Sequence, residues 1–158
     1  MNKTNSYRQF VLNSVESIKE MALIPSFRIN VKFTERIYGD ASYPGGYTAA
    51  ISNINQEYME ADIEVSKLMQ KRFQEMGPRY VQEDLAHEIA HILTEPYYDL
   101  LEKRLGKKFS TSDKEEFRKM NEHQTQMMGM IISKLIPISD QDKKRRINRS
   151  IKIVKQPQ

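Results

Sequence analysis

The chain has 158 residues, 39% hydrophobic and 29% charged, enough for one domain with a core and too apolar for a wholly disordered polymer. It has no cysteine, which excludes a disulfide scaffold, a thiolate metal site and a cysteine nucleophile. The net charge of +4 gathers after Ser139, where seven Lys/Arg stand against Asp140 and Asp142, so the basicity describes a tail and argues only weakly for nucleic acid.

In chain order, Tyr7, Phe10, Val11, Val15, Ile18, Met21 and Ala22 follow the spacing of an amphipathic helix, with Asn5 or Ser6 as its cap and Pro25 past its end. The polar residues along this helix argue against a signal peptide. No apolar run nears the ~20 residues of a membrane span. The expectation is therefore a cytoplasmic protein without a membrane partner. The period then changes to two. Phe27, Ile29, Val31 and Phe33 predict a half-buried strand, Gly39 to Gly46 a loop, and Tyr47 to Ile54 a second strand. Met59, Ala61, Ile63 and Val65 alternate with Glu60, Asp62 and Glu64 and predict a third.

From Ser66 the pattern turns helical. Leu68, Met69, Phe73 and Met76 mark a short helix closed by Gly77-Pro78. A second spans Arg79 to Thr94, limited by Pro96, and a shorter one runs from Tyr97 to Leu105 with Gly106 as its stop. The last begins at Ser112, which has capping-box spacing to Glu115, and runs to about Ile136 before Pro137. The elements predict an α+β domain over residues 1–138, mainly helical, followed by a basic tail over 139–158.

The helix of residues 79–94 carries His87-Glu88-Ile89-Ala90-His91. Histidines four apart share a helix face, so both imidazoles reach one ion. Val81, Leu85, Ile89 and Ile92, extended by Ala86, Ala90 and Leu93, bury most of this helix, leaving the histidines in one sector with Tyr80 and Asp84. A zinc ion with three protein ligands keeps an open position and lowers the pKa of its water to about 7. Glu88 is placed to take that water's proton and pass it to a leaving amine.

A third ligand has to come from another element. Glu122 and His123 lie on the last helix. Thr125 and Gly129 follow on nearly the side of Glu122, and their small size suits a close helix approach. Glu122 is thus preferred over His123 and the other acids.

With these residues in place, the chain resembles the gluzincin branch of the zincin metallopeptidases between Ser26 and Pro137. Glu122-x-x-Thr125-x-x-Met128-Gly129-x-x-Ile132 is similar to the Glu-bearing helix of ImmA/IrrE-type peptidases. The resemblance implies a three-stranded mixed sheet packed on the histidine helix, one Zn²⁺ per chain on His87, His91 and Glu122, and Glu88 as general base. It also implies an edge strand, residues 58–65, that pairs with an extended protein or peptide substrate. The chain departs from larger relatives in having Gln126 where they carry Asp, and no histidine beyond His123. Tyr80, Tyr97 or Tyr98 would then have to supply any phenol at an oxyanion. Two other readings compete: a zincin fold that binds metal and a partner but scarcely cleaves, and a nucleic-acid binder acting through Lys143-Lys144-Arg145-Arg146 and Arg149. The lack of aromatic residues in that tail disfavours the latter.

Overall fold

The computed structural model describes residues 3–37, 48–105, 108 and 110–137. The expected loop at Gly39–Gly46, the stop at Gly106 and the basic tail lie outside them. Four helices and three strands follow in the order α1 (Lys3–Met21), β1 (Arg28–Thr34), β2 (Ala49–Asn55), β3 (Glu60–Ser66), α2 (Lys67–Met76), α3 (Pro78–Leu105) and α4 (Thr111–Leu135). The class is α+β, with a three-stranded mixed sheet.

α1 begins earlier than its apolar spacing implies, so Asn5 and Ser6 lie inside it rather than capping it. Its end is built from backbone hydrogen bonds. Leu23 N–H donates to Glu20 O and Ile24 N–H to Lys19 O, with Leu23 at φ 60°. This is a Schellman closure with leucine where glycine is usual.

The sheet order is β1-β3-β2: β3 runs parallel to β1 and antiparallel to β2. The expectation that residues 58–65 form an edge strand is therefore wrong. β3 is central, and β2 is the edge that meets α3. Strict alternation reports that one face is buried and the other wet. It says nothing about which strands have neighbours. Two of the outward acids of β3 are paired across strands. Asp62 accepts from Asn30 and Lys32 of β1 and from Asn53 of β2, at 3.2, 2.9 and 2.8 Å. Glu60 pairs with Arg28 at 3.1 Å. Met59 also departs from its expected place, lying exposed at φ 53° in the β2–β3 turn rather than in the core.

One core unites the layers. Ala61, Ile63 and Val65 of β3 meet Val11, Val15 and Ile18 of α1, Met69 of α2, and Val81, Leu85, Ile89 and Ile92 of α3. α3 is the axis of the fold, touching α1, α2, α4 and β2.

Pro96 does not end α3, which continues without a break to Leu105. Proline lacks the N–H that would bond the carbonyl of residue 92 and normally breaks a helix there. Here the side-chain amide of Gln56, in the β2–β3 turn, donates to Ile92 O at 2.8 Å. The carbonyl that proline strands is thus satisfied from outside the helix.

α4 starts at Thr111, capped by Ser110 with Asp113 in a reciprocal capping box, one residue before the expected start. It turns the small or polar residues Thr125, Gly129 and Ser133, with Ile132 of the core, into the fold. Much of the apolar arc that marked it as a helix, including Met120, Met127, Ile131 and Leu135, is exposed.

Candidate metal centre

α3 presents His87 and His91 on one side, their rings 5.1 Å apart between centroids and nearly perpendicular. The opposite faces of the helix are filled by fully buried Val81, Leu85, Ala86, Ile89 and Ala90, which fix its rotation in the core. α4 crosses this side at close range because residue 129 is glycine. A Cβ there would lie 2.7 Å from His87 Cα and 2.8 Å from His87 N, and neither backbone atom can yield. One turn away, the buried hydroxyls of Thr94 and Thr125 share a 2.7 Å hydrogen bond between the helices. Arg79 Nη2 donates to Ser133 Oγ at 3.4 Å and ties the other end.

These contacts bring Glu122 over the histidines. Its Oε1 is 3.0 Å from His87 Nε2 and its Oε2 3.7 Å from His91 Nε2. One ligand atom from each of the three residues falls within 4.8 Å of the others. His123, the other candidate on this helix, is exposed and joins no such group among the described residues.

Two imidazoles and a carboxylate are a donor set that zinc accepts. Zinc–nitrogen and zinc–oxygen distances of ~2.0–2.2 Å put tetrahedral ligands about 3.3 Å apart. The 3.0 Å between Glu122 Oε1 and His87 Nε2 lies near that value, while His91 Nε2 approaches the other oxygen at 3.7 Å. Burial lowers the pKa of His91, against the pull of Glu122, and so favours the neutral ring that can donate a lone pair. With Nε2 turned to an ion, each Nδ1 carries the proton. Both Nδ1 atoms are buried and have no hydrogen bond. Glu95 Oε1 comes within 3.4 Å of His91 Nδ1, too poorly aligned to be one.

Glu88 reaches the sheet. Its Oε2 accepts the backbone N–H of Ile51 in β2 at 3.0 Å. Burial pushes its carboxyl up to about 8, the Ile51 N–H opposes this, and the neighbouring acids Glu122, Asp84 and Glu95 add to it. A cation at the histidines would draw it down again. Asp84, one turn earlier, accepts from Thr48 Oγ1 at 2.8 Å and lies 3.5 Å from Arg72, pinning the start of β2 to α3. Burial is the main cause of its raised pKa.

Sequence reasoning reached His87, Glu88, His91 and Glu122. It missed Glu95 and the Ile51 N–H. Glu95 had a readable signal, four residues beyond His91 on the same helix face. A backbone N–H has none. Of the three tyrosines, Tyr97 is exposed, Tyr98 packs against Phe117 and Tyr80 lies under the Arg72 guanidinium. No hydrogen bond joins any of them to the His–Glu cluster among the described residues.

Comparison with protein families, with curated proteins and with solved structures finds no match.

Proposed function

We propose that the chain is a zinc-dependent peptidase, with His87, His91 and Glu122 holding the ion and Glu88 serving as general base. The observation that carries this reading is the convergence of the three ligand atoms from two helices, with a separate buried carboxylate on the adjoining residue. A structural ion site needs no such extra acid. When bound, zinc would polarise the scissile carbonyl and acidify water at the site.

The chain's own residues account for the rest. Glu88 would take a proton from the attacking water and deliver it to the departing amine, held beside β2 by the Ile51 N–H, with a bound cation lowering the pKa that burial raises. β2, not β3, would align the substrate. It pairs with β3 alone among the described residues, and its Ile51 N–H faces the base. A peptide in extended form adds to such an edge through its backbone. Glu122 is 57% exposed at its side chain, so solvent reaches the residues that would hold the ion.

A metal-binding protein with little cleavage is the second reading, favoured by the absence, among the described residues, of a phenol hydrogen-bonded to the cluster. Metal analysis and cleavage of a peptide library separate the two. The wild-type chain should hold about one zinc, and the His87→Ala/His91→Ala variant close to none. Glu122→Gln should weaken zinc binding by 10-fold or more, on the order of 1.4 kcal/mol, while His123→Gln leaves it unchanged. Glu88→Gln should keep the metal and lose cleavage. Zinc retained by the double variant would remove the site. Cleavage by neither wild type nor variant would leave the binding reading in its place.

A further inference from the structure

α4 buries one side, through Thr125, Gly129, Ile132 and Ser133. Successive helix residues advance by ~100°, so Met120, Met127 and Ile131 fall on the opposite side, within about 40° of one another. They are 53, 44 and 56% exposed, and Leu135 and Met130 flank them at 58 and 37%. A single exposed methionine is ordinary. Five large apolar residues on the outer face of one helix make a patch on the order of 400 Å², a size at which such patches are often functional.

Spacing and charge together select what covers this face. Phe117, Met120, Gln124, Met127, Ile131 and Lys134 recur at alternating intervals of three and four residues, the seam of a two-helix coiled coil. Phe117 is half-buried beside Tyr98, and the other five are exposed. Two parallel copies of α4 would set Lys134 against Lys134 in one layer. Two antiparallel copies instead put Phe117 opposite Lys134, Met120 opposite Ile131 and Gln124 opposite Met127, each layer occurring twice about a twofold axis. A seam side chain enters a hole formed by four residues of the facing helix. For Lys134 in this register those four are Asp113, Glu116, Phe117 and Met120 of the second copy, so its ammonium meets two acids. Glu116 and Lys134 are exposed, and neither holds an ion pair among the described residues. The two Gln124 residues lie about 4.5 Å apart along the axis, where their amides can bond each other.

We propose that the outer face of α4 docks a second copy of this chain, helix against helix and antiparallel, with Met120, Met127 and Ile131 at the centre and Lys134 between Asp113 and Glu116 of the second copy. The two faces remove on the order of 1,000 Å² from water, the lower end for a specific interface. That extent suits a reversible dimer with a Kd on the order of 10 µM. The docking face lies across α4 from the contact with His87 and His91, so the dimer stands apart from the peptidase reading.

The test is sedimentation equilibrium of the full chain from about 1 to about 300 µM, on either side of that Kd. The mass should rise from 18.6 kDa and level at twice that value. Lys134→Glu and Glu116→Lys each place like charges in the same hole and should weaken association about tenfold or more. The double variant exchanges the charges and should recover most of the loss. Both positions are exposed, so circular dichroism should show each variant folded like the parent. His87→Ala/His91→Ala should associate as the parent does. A chain that stays monomeric overturns the proposal and leaves the face to the residues after Pro137 or to a different protein. A mass that climbs past the dimer without levelling also overturns it. So does a Lys134→Glu variant that associates like the parent, which would mean a parallel pair or another surface, and so does a double variant no better than the single ones.

Discussion

At the residue scale, two positions carry conformations or contacts that their side chains do not explain. Leu23 sits at φ 60° with 87% of its surface exposed. It therefore bears the steric cost of the left-handed region, roughly 1–2 kcal/mol for a residue with a Cβ, with no burial in return. Leu23→Gly should stabilise the fold by about 0.5–1 kcal/mol after glycine's entropy cost is subtracted. A urea midpoint that falls would contradict this. Gly129 is the converse case. Alanine there meets the His87 backbone at 2.7 Å, so α3 and α4 must separate. Gly129→Ala should cost roughly 1–3 kcal/mol, the usual range for overpacking. It should also weaken metal binding, because Glu122 and His87 lie on opposite sides of that contact. Unfolding curves and a zinc titration of one sample check both effects. The sequence made Gly129 legible as a small residue at a helix contact. It could not show that the atom met is the backbone of His87.

At the scale of elements, α3 shows where pattern reading stops. Its apolar faces, its histidine sector and its extent up to Thr94 agree with the periodicity. Its continuation through Pro96 does not, since the reason lies in Gln56, 36 residues before the Ile92 carbonyl that proline strands. A local signal, proline, was overruled by a distant donor that no local rule sees. Gln56→Met keeps the length and removes the amide. It should leave Ile92 O unpaired, cost about 1–2 kcal/mol, and lower helicity measured by circular dichroism beyond residue 92. Unchanged helicity and stability would show that the hydrogen bond is dispensable. The strands teach a related lesson. Their existence and facing were legible in the alternation of Ile29, Val31, Ala61, Ile63 and Val65. Their order was not, because pairing is made by backbone groups that every strand shares. Of the outward acids of β3, Glu60 and Asp62 hold cross-strand partners.

For the whole molecule, Asp62 links all three strands on the wet face. Three side-chain donors, Asn53 first, then Lys32 and Asn30, hold its carboxyl down at about 2. A carboxyl depressed in the folded state contributes stability above its unfolded pKa and loses it as pH falls through the folded value. The loss should run from about pH 4 to about pH 2, since the carboxyl of an unfolded chain titrates near 3.9. Asp62→Asn should flatten that part of the stability curve, measured by denaturation at a series of pH values, and leave the neutral region comparatively level. An acid limb as steep as the parent's would place the titration elsewhere. The α+β class could be read from spacing within helices and strands, the His87–His91 pair from spacing within one helix, and Glu122 from the small residues that follow it on another. Their meeting depends on helix rotation and on a glycine contact, which are properties of the packed domain.

The contact between Gly129 and His87 has a further consequence, for disorder rather than distance. Backbone against backbone leaves no side-chain rotamers to repack, so the gap between α3 and α4 is fixed when the chain folds. The freedom left at the centre is confined to the Glu122 side chain and two imidazole rings. An arriving ion then has only a few torsions to quiet, and most of the ordering it requires has already been completed in folding. Such a centre should fill quickly, with little change in backbone amide protection along either helix.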